Sequence, residues 1–152
     1  MNEADFNKLV TTKKCPYGDL SEANLSGVDL YKANLSGANL CKADLSKANL
    51  YNADLSGANL FGANLCQSNL VSCEMEEANF EEANLEGANL SMSNLTKANF
   101  QKASLKQAYL LATCLDHVDL QGANLQNADF REVISKEGLK YEEIAFSKAI
   151  TA

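Results

Sequence analysis

The chain has no tryptophan, a single proline (Pro16), a single histidine (His117) and no long apolar run. Without a stretch approaching the roughly 20 apolar residues of a membrane span, a transmembrane helix is not expected. Met1-Asn2-Glu3-Ala4-Asp5 is acidic and no apolar segment follows, so no signal peptide is read. The expected location is the cytoplasm, although a chain trimmed of a leader reads the same. A basic excess is lacking too: 13 Lys and Arg face 20 Asp and Glu. Direct nucleic-acid binding needs a basic stripe for phosphates, and it is not expected on that ground. The five cysteines are odd in number and form no C-x-x-C pair, which points to free thiols in a reducing compartment. At 152 residues the chain is read as one domain.

What the sequence does have is a register. Of the 23 positions 20, 25, 30 and so on to 130, 19 are Leu, three are Phe (Phe80, Phe100, Phe130) and one is Met75. Two residues before each stands a small residue: 16 are Ala, and the others are Gly18, Val28, Ser68, Cys73, Ser93, Thr113 and Val118. Immediately before each stands Asn 13 times or Asp six times, apart from Glu74, Ser104, Tyr109 and Cys114. Five steps on an α-helix advance about 500°, so successive Leu would land roughly 140° apart. On a flat strand an odd period sends them to opposite faces. The chain must therefore bend once per five residues, which makes a solenoid whose coils bury their apolar faces against each other. Leu fills the axis and Ala lets the walls approach. Asn, Asp and Gly suit turns, because they tolerate unusual backbone angles and hydrogen-bond their own backbone. The two remaining slots, as in Ser36-Gly37, are mostly polar and should face solvent.

The stretches Ala33-Asn34-Leu35-Ser36-Gly37 and Ala53-Asp54-Leu55-Ser56-Gly57 resemble the A(D/N)LXX consensus of the pentapeptide-repeat family. The resemblance covers 16–130 and implies an all-β solenoid, a right-handed quadrilateral β-helix with four pentapeptides per coil. Its 23 repeats would make just under six coils, a tower about 27 Å tall at the ordinary strand spacing. The junction Cys15-Pro16-Tyr17-Gly18-Asp19-Leu20 is similar to that of uncharacterised bacterial and cyanobacterial members. Many of those carry a second Cys where Gly18 stands, so no bridge is expected here.

Both tower ends need caps against end-to-end association. Residues 1–15 are read as an N-terminal helical cap with Phe6, Leu9 and Val10 on its inner face. Residues 131–152 are read as a C-terminal helical cap, with Gly138 ending one helix and a second from about Tyr141 to Ala149. The alternative for that end is a dimerisation surface, leaving monomer and end-cap homodimer both open.

No catalytic residue, metal ligand or cofactor is expected. His117 lies beside Asp116 and Asp119 but has no second His to join it, and Cys114 has no cations round it. Glycines such as Gly27, Gly37 and Gly57 sit in turn slots of the repeat and form no phosphate loop. Leu and Ala at nearly every level leave no pocket for a ligand.

Two surfaces stand out. Glu74, Glu76, Glu77, Glu81, Glu82 and Glu86 form an acidic belt with no Lys or Arg among them, either a solubility face or a docking patch for a basic partner. Tyr31, Tyr51, Val71, Ser91 and Leu111 fall in one column at twenty-residue spacing, either ladder packing or a contact stripe. The expected function is a non-enzymatic interaction module for an unidentified protein. The alternative that the resemblance implies is a DNA mimic, as in the quinolone-resistance members that bind gyrase and topoisomerase IV. Those towers are usually longer and acidic over most of their length, whereas this chain confines its acidity to one coil.

Overall fold

A computed structural model of the chain describes residues 1–135 and 138. Its organising contact is a parallel bridge between each Asn/Asp-slot residue and the one twenty positions on, from Lys14↔Asn34 to Cys114↔Ile134. One coil is therefore four pentapeptides, and four turns per coil make four edges along the rod. The β-structure consists of these single-residue bridges rather than strands of ordinary length.

In a repeat that carries Asn or Asp in its slot and has a coil on either side, all five backbone N–H groups find acceptors, as buried main chain requires. In the unit around Leu40, the N–H of Asn39 donates to Gly18 O, that of Leu40 to Asn59 O and that of Lys42 to Phe61 O, all between coils. The N–H of Ala43 closes the turn on Leu40 O at 3.0 Å. One donor is left over, the N–H of the first turn residue, and the side chain of the Asn/Asp slot takes it. Cys41 N–H donates to Asn39 Oδ1 at 3.2 Å, and every Asn and Asp in this slot from Asp19 to Asp129 repeats the contact. Asn amides also climb from coil to coil, as in Asn64 to Asp44 and Asn99 to Asn79.

The second turn residue adopts positive φ throughout, from 55° at Lys42 to 70° at Gly122. Positive φ at the third position of an i→i+3 turn distinguishes type II. Glycine takes this angle freely, and the Lys, Glu and Gln in the same slot bear some strain.

Inside, every Leu of the central slot is at most 3% exposed, and Phe80 and Phe100 stack with centroids 4.6 Å apart. Hydroxyls standing where Ala recurs are satisfied locally: Ser68 Oγ donates to Leu65 O, Ser93 Oγ to Leu70 O and Thr113 Oγ1 to Leu110 O. Among the described residues no buried side-chain nitrogen or oxygen lacks a partner.

At the N-terminal end lies α1, Glu3–Thr12. Asn2 caps it by accepting from Ala4 and Asp5 N–H, and acidic Glu3 and Asp5 suit its first turn. Leu9 is fully buried and Phe6 packs on the core, while Asp5 accepts the Asp19 N–H and Lys13 pairs with Asp29 at 2.7 Å. Val10 does not join them: it is 42% exposed, because one helical step of about 100° beyond Leu9 carries it off the buried stripe. Gly18 sits so close to the first unit that a Cβ there would run into Cys15 Sγ.

The other end differs from the expected boundary. The Leu period stops at Phe130, but the coil continues one more unit: Glu132 takes φ 57°, and Ile134 N–H donates to Thr113 O at 2.8 Å. A helical cap therefore does not start at residue 131. Main-chain bonds carry the ladder, so it proceeds where Ile134 replaces Asn. The helices expected over the rest of 131–152 lie outside the described residues.

Two outcomes test this scheme. Gly57 has φ +65°, and a Cβ at this position would meet nothing within 4 Å, so its need for glycine is purely conformational. Gly57→Ala should lower unfolding free energy by about 1 kcal/mol in urea titrations; an unchanged midpoint would contradict the strain argument. Asp44 illustrates the second: the Ser46 backbone N–H, then the Ser46 side chain and the Asn64 amide, hold its carboxyl below the usual range against a smaller desolvation effect. A depressed folded pKa adds stability above the unfolded value of about 3.9, lost as pH falls through the lower folded value. Stability should therefore drop in acid below the ordinary carboxylate range, and Asp44→Asn should flatten that limb; an identical acid limb in the variant would refute it.

Candidate interaction surfaces

The repeat commits the central slot to the core, the small slot to wall contacts and the Asn/Asp slot to the turn. Only the two turn slots are free to vary, so surface chemistry is written along the four edges. Cys73 shows how the interior is closed to chemistry. Its thiol lies 2.9 Å from Leu50 O, and burial pushes its pKa up to about 12, away from a nucleophilic thiolate. His117 is exposed on an edge, with Gly138 against its ring. Among the described residues no three His, Cys, Asp or Glu are grouped to hold a metal ion. No helix among them is long and apolar enough to cross a membrane.

The acidic belt runs across successive sides of the coil, as the register of its units predicts. Glu76 and Glu77, Glu81 and Glu82, and Glu86 occupy three successive edges of one coil, and Glu74 lies in the Asn/Asp slot beside the fourth. The belt is not left unanswered. One coil further on, Lys97 lies 3.8 Å from Glu76 and 2.9 Å from Glu77. Lys102 lies 3.9 Å from Glu81 and 3.5 Å from Glu82, and Lys106 lies 3.3 Å from Glu86. A hydrogen bond from Lys97 to Glu77, reinforced by the charges of Glu77 and Glu76, raises the Lys97 pKa. These lysines are what a reading along the chain misses. The signal was present at twenty-residue spacing: Glu77 and Lys97, Glu82 and Lys102, Glu86 and Lys106.

Glu74 is the exception. Its carboxylate accepts from the Asn94 amide at 3.2 Å and its backbone pairs with that of Asp54 on the coil below, so two acidic residues stand in register with no ion pair to either among the described residues. Like charges directly opposite on a ladder repel.

Tyr31 and Tyr51 meet as stacked rings, centroids 5.8 Å apart and 12° from parallel, and they remain 40% and 39% exposed. Lys32 Nζ lies 5.1 Å from the Tyr31 ring centre. The edge continues upward through half-buried Val71 and Leu111, with Met92 65% exposed beside it. A shallow open depression of about 490 Å³ adjoins it, lined by Gln67, Gly87, Gln107, Tyr109 and Asn127. It exists where Gly87 leaves a gap between taller side chains, and nothing in it is chemically reactive.

Comparison with known proteins agrees with this geometry. A family model for pentapeptide repeats matches eight copies over 19–57, 58–96, 73–111 and 113–134. No curated protein matches the chain. Among solved structures the chain is similar to HetL from the cyanobacterium Nostoc sp. strain PCC 7120, a pentapeptide repeat protein involved in heterocyst differentiation regulation. Identity is 30% over 84% of this chain and 67% of that one, with a TM-score of 0.56. It is also similar to a pentapeptide repeat protein of the Arabidopsis thaliana thylakoid lumen, at 29% identity over 68% and 69% of the two chains and a TM-score of 0.52. Rfr23 from Cyanothece 51142 shares the fold at 23% identity, 91% and 98% coverage and a TM-score of 0.63.

The paired belt makes a testable claim about salt. A Lys97/Lys102/Lys106→Gln variant should unfold at lower temperature than the wild type in dilute buffer, because it leaves five Glu without their cations. Screening should narrow the gap in molar salt. A gap that is absent at low salt, or that persists undiminished, would show that these pairs contribute nothing.

Proposed function

Since this chain belongs to the pentapeptide-repeat family, we propose that it is a non-enzymatic protein-interaction module, a right-handed, four-sided β-helical rod capped by α1 at its N-terminal end. The observation that carries this reading is the division of labour within the repeat. Central residues are buried and the Asn/Asp side chains are spent on turns, which leaves only edge residues, displayed at fixed intervals, for recognition. A rigid rod of this kind loses little conformational entropy on binding, so modest side-chain contacts convert efficiently into affinity. The cysteines, all free, suit the cytoplasm.

The belt and the tyrosine edge differ in what they can offer. Five of the belt's carboxylates already have lysines within 4.0 Å, which reduces their pull on a basic partner. That pairing also weighs against a topoisomerase-directed DNA mimic, which needs an acidic field of duplex-like extent.

Immobilised wild-type protein should retain a partner from host lysate that a Tyr31/Tyr51→Ser variant loses at unchanged melting temperature. Retention of nothing specific, or of partners indifferent to both the tyrosine change and Glu74/Glu76/Glu77/Glu81/Glu82/Glu86→Gln, would sink the reading. In parallel, gyrase supercoiling should be unaffected; inhibition by the wild type and not by the Gln variant would establish the DNA mimic instead.

A further inference from the structure

The edge that runs from Tyr31 to Leu111 breaks the rules of its own fold more than any other. Four residues depart from Asn or Asp in the slot before the central residue, and three of them, Glu74, Tyr109 and Cys114, lie in the two columns flanking this edge. Tyr109 offers no carboxyl or amide oxygen to the Leu111 N–H, so the turn contact made throughout the rod is given up there. In the left-handed turn slot the apolar, non-aromatic residues are Met92 and Ala112, with φ of 63° and 55°, and both stand on this edge. Met92 is strained, apolar and 65% exposed at once. Departures from a repeat that the fold itself does not reward are expected where function is served.

We propose that this edge is a docking strip for a basic amphipathic helix of a partner protein, with Tyr31, Tyr51, Val71, Met92 and Leu111 receiving its apolar face and Asp54 and Glu74 its cations. The proposal rests on the interaction-module reading and names where and what that module binds. Charge supports the cation. Asp54 and Glu74 stand in register on adjacent coils flanking this edge, with no ion pair to either among the described residues, and the Tyr31 ring already holds one ammonium, that of Lys32, at 5.1 Å. Arginine is matched to both features, since it pairs with carboxylates and stacks on aromatic faces.

The backbone argues for a helix. The edge's N–H groups from Tyr31 to Met92 are all spent: Lys32 donates to Tyr51 O, Asn52 to Val71 O, Ser72 to Ser91 O and Met92 to Leu111 O, while Tyr31, Tyr51, Val71 and Ser91 donate to the Asn/Asp side chains two residues before them. An extended peptide would find no row of free N–H donors here to pair with its carbonyls, whereas a helix arrives with its backbone already satisfied. Four coil rises from Tyr31 to Leu111 span about 19 Å at ordinary strand spacing, which is roughly 13 residues of helix. A second copy of this chain is a poor occupant, because it would bring the same two carboxylates and only Lys32 to meet them.

The test uses a random 16-residue peptide display library selected on the full-length protein. Enriched peptides should carry apolar residues at helical spacing with Arg or Lys on one flank, and should bind at least tenfold more weakly to Tyr51→Ser and to Asp54→Asn/Glu74→Gln. Tyr109→Asn and Met92→Gly provide the decisive pair of readouts. Both should raise the denaturation midpoint, since each restores what the fold prefers, and both should weaken peptide binding. Acidic or unpatterned peptides, or binding unchanged in all four variants, would overturn the docking strip. Binders that map instead to the Glu76–Glu86 edges would overturn it while leaving the interaction module standing, and selection of no binder would count against both. Self-association in sedimentation that is abolished by Val71→Asp would identify the occupant as a second copy and refute the basic helix.

Discussion

Everything in this rod depends on a donor that the coil backbone cannot satisfy. Four of the five N–H groups in a repeat reach carbonyls, three on neighbouring coils and one across the turn, and the fifth points at nothing in the main chain. The side chain of the Asn/Asp slot accepts it at 2.9 to 3.3 Å, from Asp19 to Asp129. An unpaired donor costs about 1–3 kcal/mol where it is shielded from water. Repeated along the rod, that cost explains why the slot is Asn or Asp and not merely polar. A serine hydroxyl makes this contact more weakly than Asn or Asp, and glutamate carries its oxygens one bond further out, where Glu74 accepts from Asn94.

This constraint is also what made the fold legible. The five-residue period, the small slot and the Asn/Asp slot each answer a local requirement, so each is written in every unit and the whole coil can be read from a few. The ends are read less well, because they obey no repeat. Val10 looks interchangeable with Phe6 and Leu9 in a pattern of three, but α1 rests on the first coil by its Leu9 side, and the step of about 100° from Leu9 turns Val10 to water. The loss of Leu after Phe130 looks like the end of the coil, yet the backbone ladder holds one unit longer because it needs main-chain partners more than it needs leucine.

The surface was half legible for a related reason. Stacking at twenty residues correctly brings Tyr31 over Tyr51, since identical residues advertise their own column. Lys97, Lys102 and Lys106 are unlike the glutamates they answer, and along the chain they belong to a different coil. Charge in a solenoid is therefore a two-dimensional quantity. A run of acids in sequence says little until the residues one coil away are laid beside it, and here that operation turns an isolated belt into adjacent acidic and basic bands.

The same two-dimensional view separates the edges by what they contribute. Three edges of the belt coil carry glutamates that lysines offset, so their like charges are not left facing one another unanswered. The fourth carries two acidic residues in register with no ion pair to either among the described residues, a tyrosine in place of the turn acceptor and a methionine in a glycine-like conformation. Each of these works against the fold by a small amount, and they lie within reach of one another along a single line. A rod whose stability accumulates coil by coil can tolerate such losses in one place. Interactions between neighbouring coils supply the surplus, and the docking proposed for the edge from Tyr31 to Leu111 is what would draw on it.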